Sequence, residues 1–182
     1  MRNFTIHNVD SAPAESQPML EDALKTTGMI ANLHGVMAEA PGLLEGYRHL
    51  HQLFMDSSFD KDELTVVWQT INVEHECHYC VPAHTAIANR MKVDPALTEA
   101  LRTGGAMPTA KLQVLHDTTL AMVRSRGRLT DDELSVFYAA GYNKRQLLEI
   151  ILGLSQKVIS NYVNRIARTP VDEVFNEFAW QS

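Results

Sequence analysis

The chain has 182 residues, 45% of them hydrophobic and 21% charged, with a net charge of −6. That is enough chain for one domain with its own core, in a composition ordinary for a globular protein. The acidic balance leaves no basic surface for nucleic acid, and no apolar run has the length of a membrane span.

Met1–His7 lacks the apolar core of a signal peptide, so a cytoplasmic location is expected, where a structural disulfide is unusual. Residues 1–17 are polar, carry Pro13 and are followed by Pro18; they read as an extended or disordered arm. Residues 18–182 read as a single all-helical domain. Leu20, Leu24, Met29, Ile30, Leu33 and Val36 recur at helical spacing, with Gly28 as a break and Pro41-Gly42 as the end of the unit. Leu43, Leu44, Tyr47, Leu50, Leu53 and Phe54 mark an amphipathic helix.

Ser57-Ser58-Phe59-Asp60 is a turn capping a helix that begins near Lys61 and carries Leu64, Val67, Trp68 and Ile71. Its Thr65-Val66-Val67 run also suits a strand, but no second strand-like run exists to pair with it. A further helix begins within the Cys77/Cys80 pair and reaches Met91, with Pro82 tolerated in the first turn. Asp94-Pro95 opens a short helix that stops at Gly104-Gly105, and Pro108 starts another through about Arg126. Arg128–Glu133 caps a helix ending near Gly141. Lys144–Arg168 reads as one long helix with Leu147, Leu148, Ile151, Leu154, Val158, Ile159, Tyr162 and Ile166 apolar, stopped by Thr169-Pro170. Val174, Phe175, Phe178 and Trp180 make the tail aromatic enough to dock.

The chemistry concentrates in Glu74-His75-Glu76-Cys77-His78-Tyr79-Cys80-Val81-Pro82-Ala83-His84, which holds both cysteines and three of the eight histidines. A helix starting near Tyr79 places Cys77 at its cap and Cys80 in its first turn, where free N–H groups and the positive dipole end favour a thiolate. Cys80 and His84 are i and i+4 on one face, so the imidazole is placed to take the Cys80 proton, directly or through water. Cys-x-x-Cys spacing allows a disulfide. One thiolate attacks a peroxide oxygen and becomes a sulfenic acid, and the other thiol condenses with it, without a cofactor.

Two other readings stand beside this one. Both cysteines are buried core residues, or Cys77, Cys80, His84 and either His75 or His78 form a Cys₂His₂ zinc site. His34, His49, His51 and His116 read as surface or hydrogen-bonded core residues, the methionines as core filler, and Arg124, Arg126 and Arg128 as a solvated helix end.

Cys77-His78-Tyr79-Cys80-Val81-Pro82-Ala83-His84-Thr85 resembles the Cys-x-x-Cys-x-x-x-His signature of the carboxymuconolactone decarboxylase/alkylhydroperoxidase D family. The similarity extends over Val66–Asn72 upstream, and Leu129–Ala167 is similar to the family's peroxidase-related branch. The resemblance implies an all-α fold and a trimer, a hexamer of trimers or a dimer. It implies a thiol peroxidase or disulfide reductase acting on a hydroperoxide, with a protein or small dithiol as reductant. Cys80 would attack the peroxide, His84 would be its proton partner, Cys77 would resolve, and His78 would be a second relay histidine. The decarboxylase branch, which acts on a lactone acid, generally lacks the Cys pair. One position departs from the family: Thr65 stands where its relay glutamate would be. Glu63 or Glu74 is then the replacement, or the relay ends at His84.

Overall fold

The computed structural model describes residues 4–181. Among these are nine α-helices, a 3₁₀ turn and no strand, so the all-α expectation holds. Residues 4–16 form no helix but lie along the body rather than free of it. His7 N–H donates to the Gly35 carbonyl at 3.0 Å, and the Ser16 hydroxyl donates to the Ala38 carbonyl at 2.7 Å. Gly35 permits this approach, because a Cβ there would lie 2.8 Å from the His7 carbonyl oxygen.

The first unit divides into α1 (Gln17–Thr27), closed by Gly28 in the left-handed region, and α2 (Asn32–Met37). Pro41 does not merely end that unit. It is the first residue of α3 (Pro41–Met55), where its missing N–H costs nothing. Then come α4 (Lys61–Glu74), α5 (Cys80–Arg90), α6 (Pro95–Thr103), α7 (Ala110–Ser125), α8 (Asp131–Ala139) and α9 (Lys144–Ala167).

Helix α4 is the hub. Asp60 and Glu63 close a capping box at its start, and every residue from Glu63 to Asn72 is buried. A segment buried all round, with its polar Glu63, Gln69 and Asn72 hydrogen-bonded, sits at the centre of the fold, and Thr65-Val66-Val67 is helical within it. Helices α5, α6, α7 and α9 pack around it. Phe54, Val67, Trp68, Leu115, Phe137 and Ile150 form the larger core. Gly153 lets α9 close on this layer, because a Cβ there would fall 2.8 Å from the Phe54 ring.

A second core joins α1, α2 and α3 to the start of α5 through Leu20, Leu33, Met37, Leu44, Tyr47 and Tyr79. Both cysteines belong to it. The chain after α9 returns across this core and ends in the 3₁₀ turn Glu173–Phe178. Phe175 packs edge-on to Tyr79, Tyr79 donates its hydroxyl proton to Asp172, and Trp180 Nε1 donates to the Arg102 carbonyl at 2.9 Å. The aromatic tail therefore docks on its own chain. Val174 of the tail stays exposed, and Leu148, Ile151, Tyr162 and Ile166 of α9 are exposed as well.

Candidate active site

The segment joining α4 to α5 turns at Glu76, whose φ of 49° lies in the left-handed region. The Cys77 N–H then returns to the Asn72 carbonyl at 2.9 Å. Tyr79 caps α5 without a side-chain hydrogen bond. The Cys77 sulfur fills that role instead, accepting from the Cys80 N–H at 3.2 Å. Cys80 is thus the first residue of α5, at the positive end of its dipole.

Both cysteines are unoxidised, with Cys77 4% and Cys80 2% exposed. Helix α9 supplies the other side of the site, which no local motif announces. Asn164 Nδ2 donates to the Cys80 sulfur at 3.2 Å and lies 3.9 Å from the Cys77 sulfur. Lys157 is wholly buried, and its Nζ lies 2.8 Å from His84 Nε2.

These groups set the protonation of the pair. Burial alone would push the Cys80 thiol up. The hydrogen bond from Cys77, the Lys157 ammonium, and the Asn164 and Ser160 side chains outweigh it and bring Cys80 down to about 5. Cys77 goes the other way: its hydrogen bond to Cys80 and its burial both raise it. The site therefore holds a Cys80 thiolate and a Cys77 thiol. Burial, then Lys157 and then His51 hold His84 well below its usual range. The neutral imidazole accepts from Lys157 at Nε2. Its proton sits on Nδ1, which has no partner among the described residues.

The structure thus sets Cys77 and Cys80 side by side, with His84 one turn further along α5. No hydrogen bond joins Cys80 to His84 among the described residues; Lys157 occupies His84 Nε2 instead. His78 and Glu74 are turned away. His78 is exposed and donates from Nε2 to the Thr169 carbonyl at 2.9 Å. Glu74 is held by Arg124 in a two-pronged pair at 2.8 Å, so Arg124 is not simply a solvated helix end. Glu63 caps the far end of α4 and pairs with Lys111 at 2.8 Å. Thr65 donates to the Lys61 carbonyl at 2.8 Å. Among the described residues neither acid is hydrogen-bonded to a cysteine or to His84.

The zinc alternative needs its ligands on one point. His84 faces Lys157, His78 faces Thr169 and His75 is bonded to Asn161 at 2.8 Å. Among the described residues no three His, Cys, Asp or Glu side chains gather to hold a metal ion.

Two histidines read as ordinary sit behind the site. Rings follow one another from His34, edge-on to Tyr47 (5.7 Å between centroids), through stacked Tyr47–His51 (6.4 Å) and His51–Trp68 (5.4 Å), to His84, tilted against Trp68 (4.8 Å). Burial lowers His34 and His51 to about 4 each, helped by Arg48 and His51 at the first and by Lys157 at the second. His51 Nδ1 has no partner among the described residues, so His51 is neither solvated nor tied through that nitrogen. Their helical register, i+4 between Tyr47 and His51, was the available signal. The partners on α2, α4 and α5 were not legible. A groove of about 380 Å³ on the outer side of α9, lined by His75, Tyr162 and Arg165 among others, is not lined by either thiol.

No protein-family model matches the sequence, and no curated protein matches it. Solved structures do match. The alkylhydroperoxidase AhpD core of an uncharacterized peroxidase-related protein from Ralstonia eutropha JMP134 superposes with a TM-score of 0.84 at 15% identity, over 95% of this chain and 93% of that one. An uncharacterized peroxidase-related protein from Silicibacter sp. TM1040 gives 0.79 at 21% identity, over 94% of each chain. The debrominase Bmp8, in a cysteine-to-alanine variant with 2,3,4-tribromopyrrole, gives 0.78 at 14% identity, over 96% of this chain and 94% of that one. The chain has the alkylhydroperoxidase-core fold, and the resemblance read from Cys77–His84 is met at that level. Among the described residues, no helix is long and apolar enough to cross a membrane.

Proposed function

We propose that this protein is a dithiol–disulfide oxidoreductase that reduces alkyl hydroperoxides in an antioxidant role. Cys80 attacks and Cys77 resolves. The carrying observation is the asymmetric pair: the Cys80 sulfur takes a hydrogen bond from Asn164 at the start of α5, with Lys157 drawing its thiol down, while burial and the hydrogen bond to Cys80 raise Cys77. A buried thiolate is the nucleophile such chemistry needs. The neighbouring thiol then closes the disulfide, and a protein or small dithiol reopens it. A redox-active cysteine pair of this kind suits a cytoplasmic setting. The exposed stripe on α9 supports a homo-oligomer.

The test is peroxide consumption with several dithiol donors. Cys80→Ser should abolish it. Cys77→Ser should be oxidised once, leaving a trappable sulfenic acid on Cys80, without turnover. A trappable sulfenic acid only in Cys80→Ser would reverse the roles. Turnover of a carboxymuconolactone that survives both changes would favour the decarboxylase reading instead.

The likeness to Bmp8 supports a second reading on the same thiols. A Cys80 thiolate would take bromine from a bromopyrrole-like ring, the ring carbon would gain a proton, and Cys77 would displace bromide as the disulfide forms. One bromide per disulfide, with no peroxide consumption, would select it.

A further inference from the structure

The buried lysine is the least explained charge in the molecule. Lys157 has no exposed surface, and among the described residues its Nζ makes no ion pair with a carboxylate and instead contacts His84 Nε2 at 2.8 Å. A buried ammonium without a counter-charge is strongly disfavoured. Helix α5 presents Cys80, with Cys77 behind it, and neutral His84; α3 presents His51 and Tyr47; α4 presents Trp68; α9 itself adds Gln156, Ser160 and Asn164. His34 lies beyond Tyr47. The thiol pair supplies the anion in this set.

That arrangement makes the charge on Lys157 conditional on the redox state. Lys157 and Asn164 lie two turns apart along α9, both facing inward, and Asn164 touches the Cys80 sulfur at 3.2 Å, so a Cys80 thiolate is the charge that steadies the ammonium. When Cys77 and Cys80 close into a neutral disulfide, the counter-charge disappears and the desolvated lysine has nothing to hold its proton.

Building on the peroxidase reading, we infer that Lys157 is the catalytic acid: it protonates the departing alkoxide and remains neutral for as long as the disulfide persists. The Cys80 thiolate attacks the terminal peroxide oxygen; an S–O bond forms, the O–O bond breaks, and the alkoxide leaves with the Lys157 proton as an alcohol. The Cys77 sulfur then attacks Cys80; the S–S bond forms, the S–O bond breaks, and hydroxide leaves with the Cys77 proton as water. Two electrons come from the sulfurs, and two protons come from Cys77 and Lys157. A dithiol reductant returns both electrons and both protons. His84 is the positioning residue, since its neutral Nε2 accepts from Lys157 and aims it.

Burial lowers Lys157 from its ordinary value while the Cys80 and Cys77 charges hold it up, which is the balance this cycle uses.

The decisive measurement is a proton count. The reduced protein is oxidised with diamide, which accepts two electrons and two protons without depending on peroxide turnover. Uptake is read with a pH indicator in weak buffer near pH 7.5, and disulfide formation is read by mass. Thiolate absorbance at 240 nm before oxidation reports Cys80. Thiolate present, one disulfide formed and no net proton uptake is the expected result in the unaltered protein. Uptake of one proton per disulfide would show that Lys157 stays charged and would overturn the inference. So would zero uptake with no thiolate present at the start. Lys157→Arg keeps a permanent cation and should take up one proton per disulfide. Lys157→Met should slow the attack on peroxide at pH 7 by about 100-fold or more. Failure to form any disulfide would instead bring down the dithiol reading on which the inference rests.

Discussion

Cys80 has a hydrogen-bond donor on one side, a cation on another and a thiol behind it, and each acts on the same sulfur. Its pKa is drawn down to about 5, so the thiolate fraction is near its maximum at neutral pH and falls as pH drops through that value. The rate of alkylation by a small neutral reagent should therefore be flat from pH 8 to 6. It should fall about tenfold per pH unit below 5, where an ordinary thiol would already be far below its maximum at pH 7. Asn164→Leu removes a hydrogen bond to a charged acceptor and should move the midpoint up by about one pH unit. A midpoint near 8.5 in the unaltered protein would contradict the assignment. Cys77, Cys80 and His84 were legible because they are local: a helix start and an i, i+4 face place them from spacing alone. Lys157 was not, because it lies 73 residues from His84 and a lysine in a long helix ordinarily faces water. Glu74 and His78 were drawn in by sequence proximity. They lost their places to nearer partners, Arg124 and the Thr169 carbonyl.

Helix α9 inverts the usual relation between pattern and burial. Its boundaries follow from Asn143 as N-cap and Thr169-Pro170 as stop, and both were readable. Its orientation was not. Gln156, Lys157, Ser160, Asn161 and Asn164 face inward, while Leu148, Ile151, Tyr162 and Ile166 face solvent. Hydrophobic periodicity assigns the apolar side to the core, and here a polar seam claimed that side. Asn161 Nδ2 donates to Asn72 at 3.0 Å, and Trp68 Nε1 donates to Gln156 at 2.9 Å. Satisfied polar groups of this kind fix register, because an unpaired alternative is costly. The displaced apolar stripe is the surface we propose for self-association, since the aromatic tail is spent on Tyr79 and Arg102. Light scattering at micromolar concentration should give a multiple of the 20.4 kDa chain. Ile151→Glu with Ile166→Glu should lower that multiple while leaving the helical content unchanged. A monomer before any substitution would remove the proposal.

At the scale of the whole molecule, the column His34–Tyr47–His51–Trp68–His84 ties the candidate thiol site to acid stability. It joins α2, α3, α4 and α5, so one charge introduced into it disturbs both cores. His34 and His51 titrate near 4 in the folded chain against an ordinary 6.5, and His84 is lowered further in the same direction. Between these values the unfolded chain binds protons that the folded chain refuses. Stability therefore falls as pH drops from 6.5 toward 4, and each histidine contributes a slope of about 1.4 kcal/mol per pH unit inside that window. Cys80, lowered from 9.0 to about 5, adds slope of the same sign at higher pH. Glu133 and Glu149 are held below their ordinary 4.5, so they act at the acid end of the range. Urea unfolding of the reduced protein at closely spaced pH values should show the midpoint dropping steadily from pH 6.5 to 4.5. His51→Gln keeps the ring's approximate volume against Trp68 but cannot charge, so it should flatten the drop by about 1.4 kcal/mol per pH unit while lowering stability at pH 7 only modestly. An unaltered protein whose midpoint stays constant across that window would mean that the buried histidines take up protons in the folded state, and the neutral column behind the thiols would have to be abandoned.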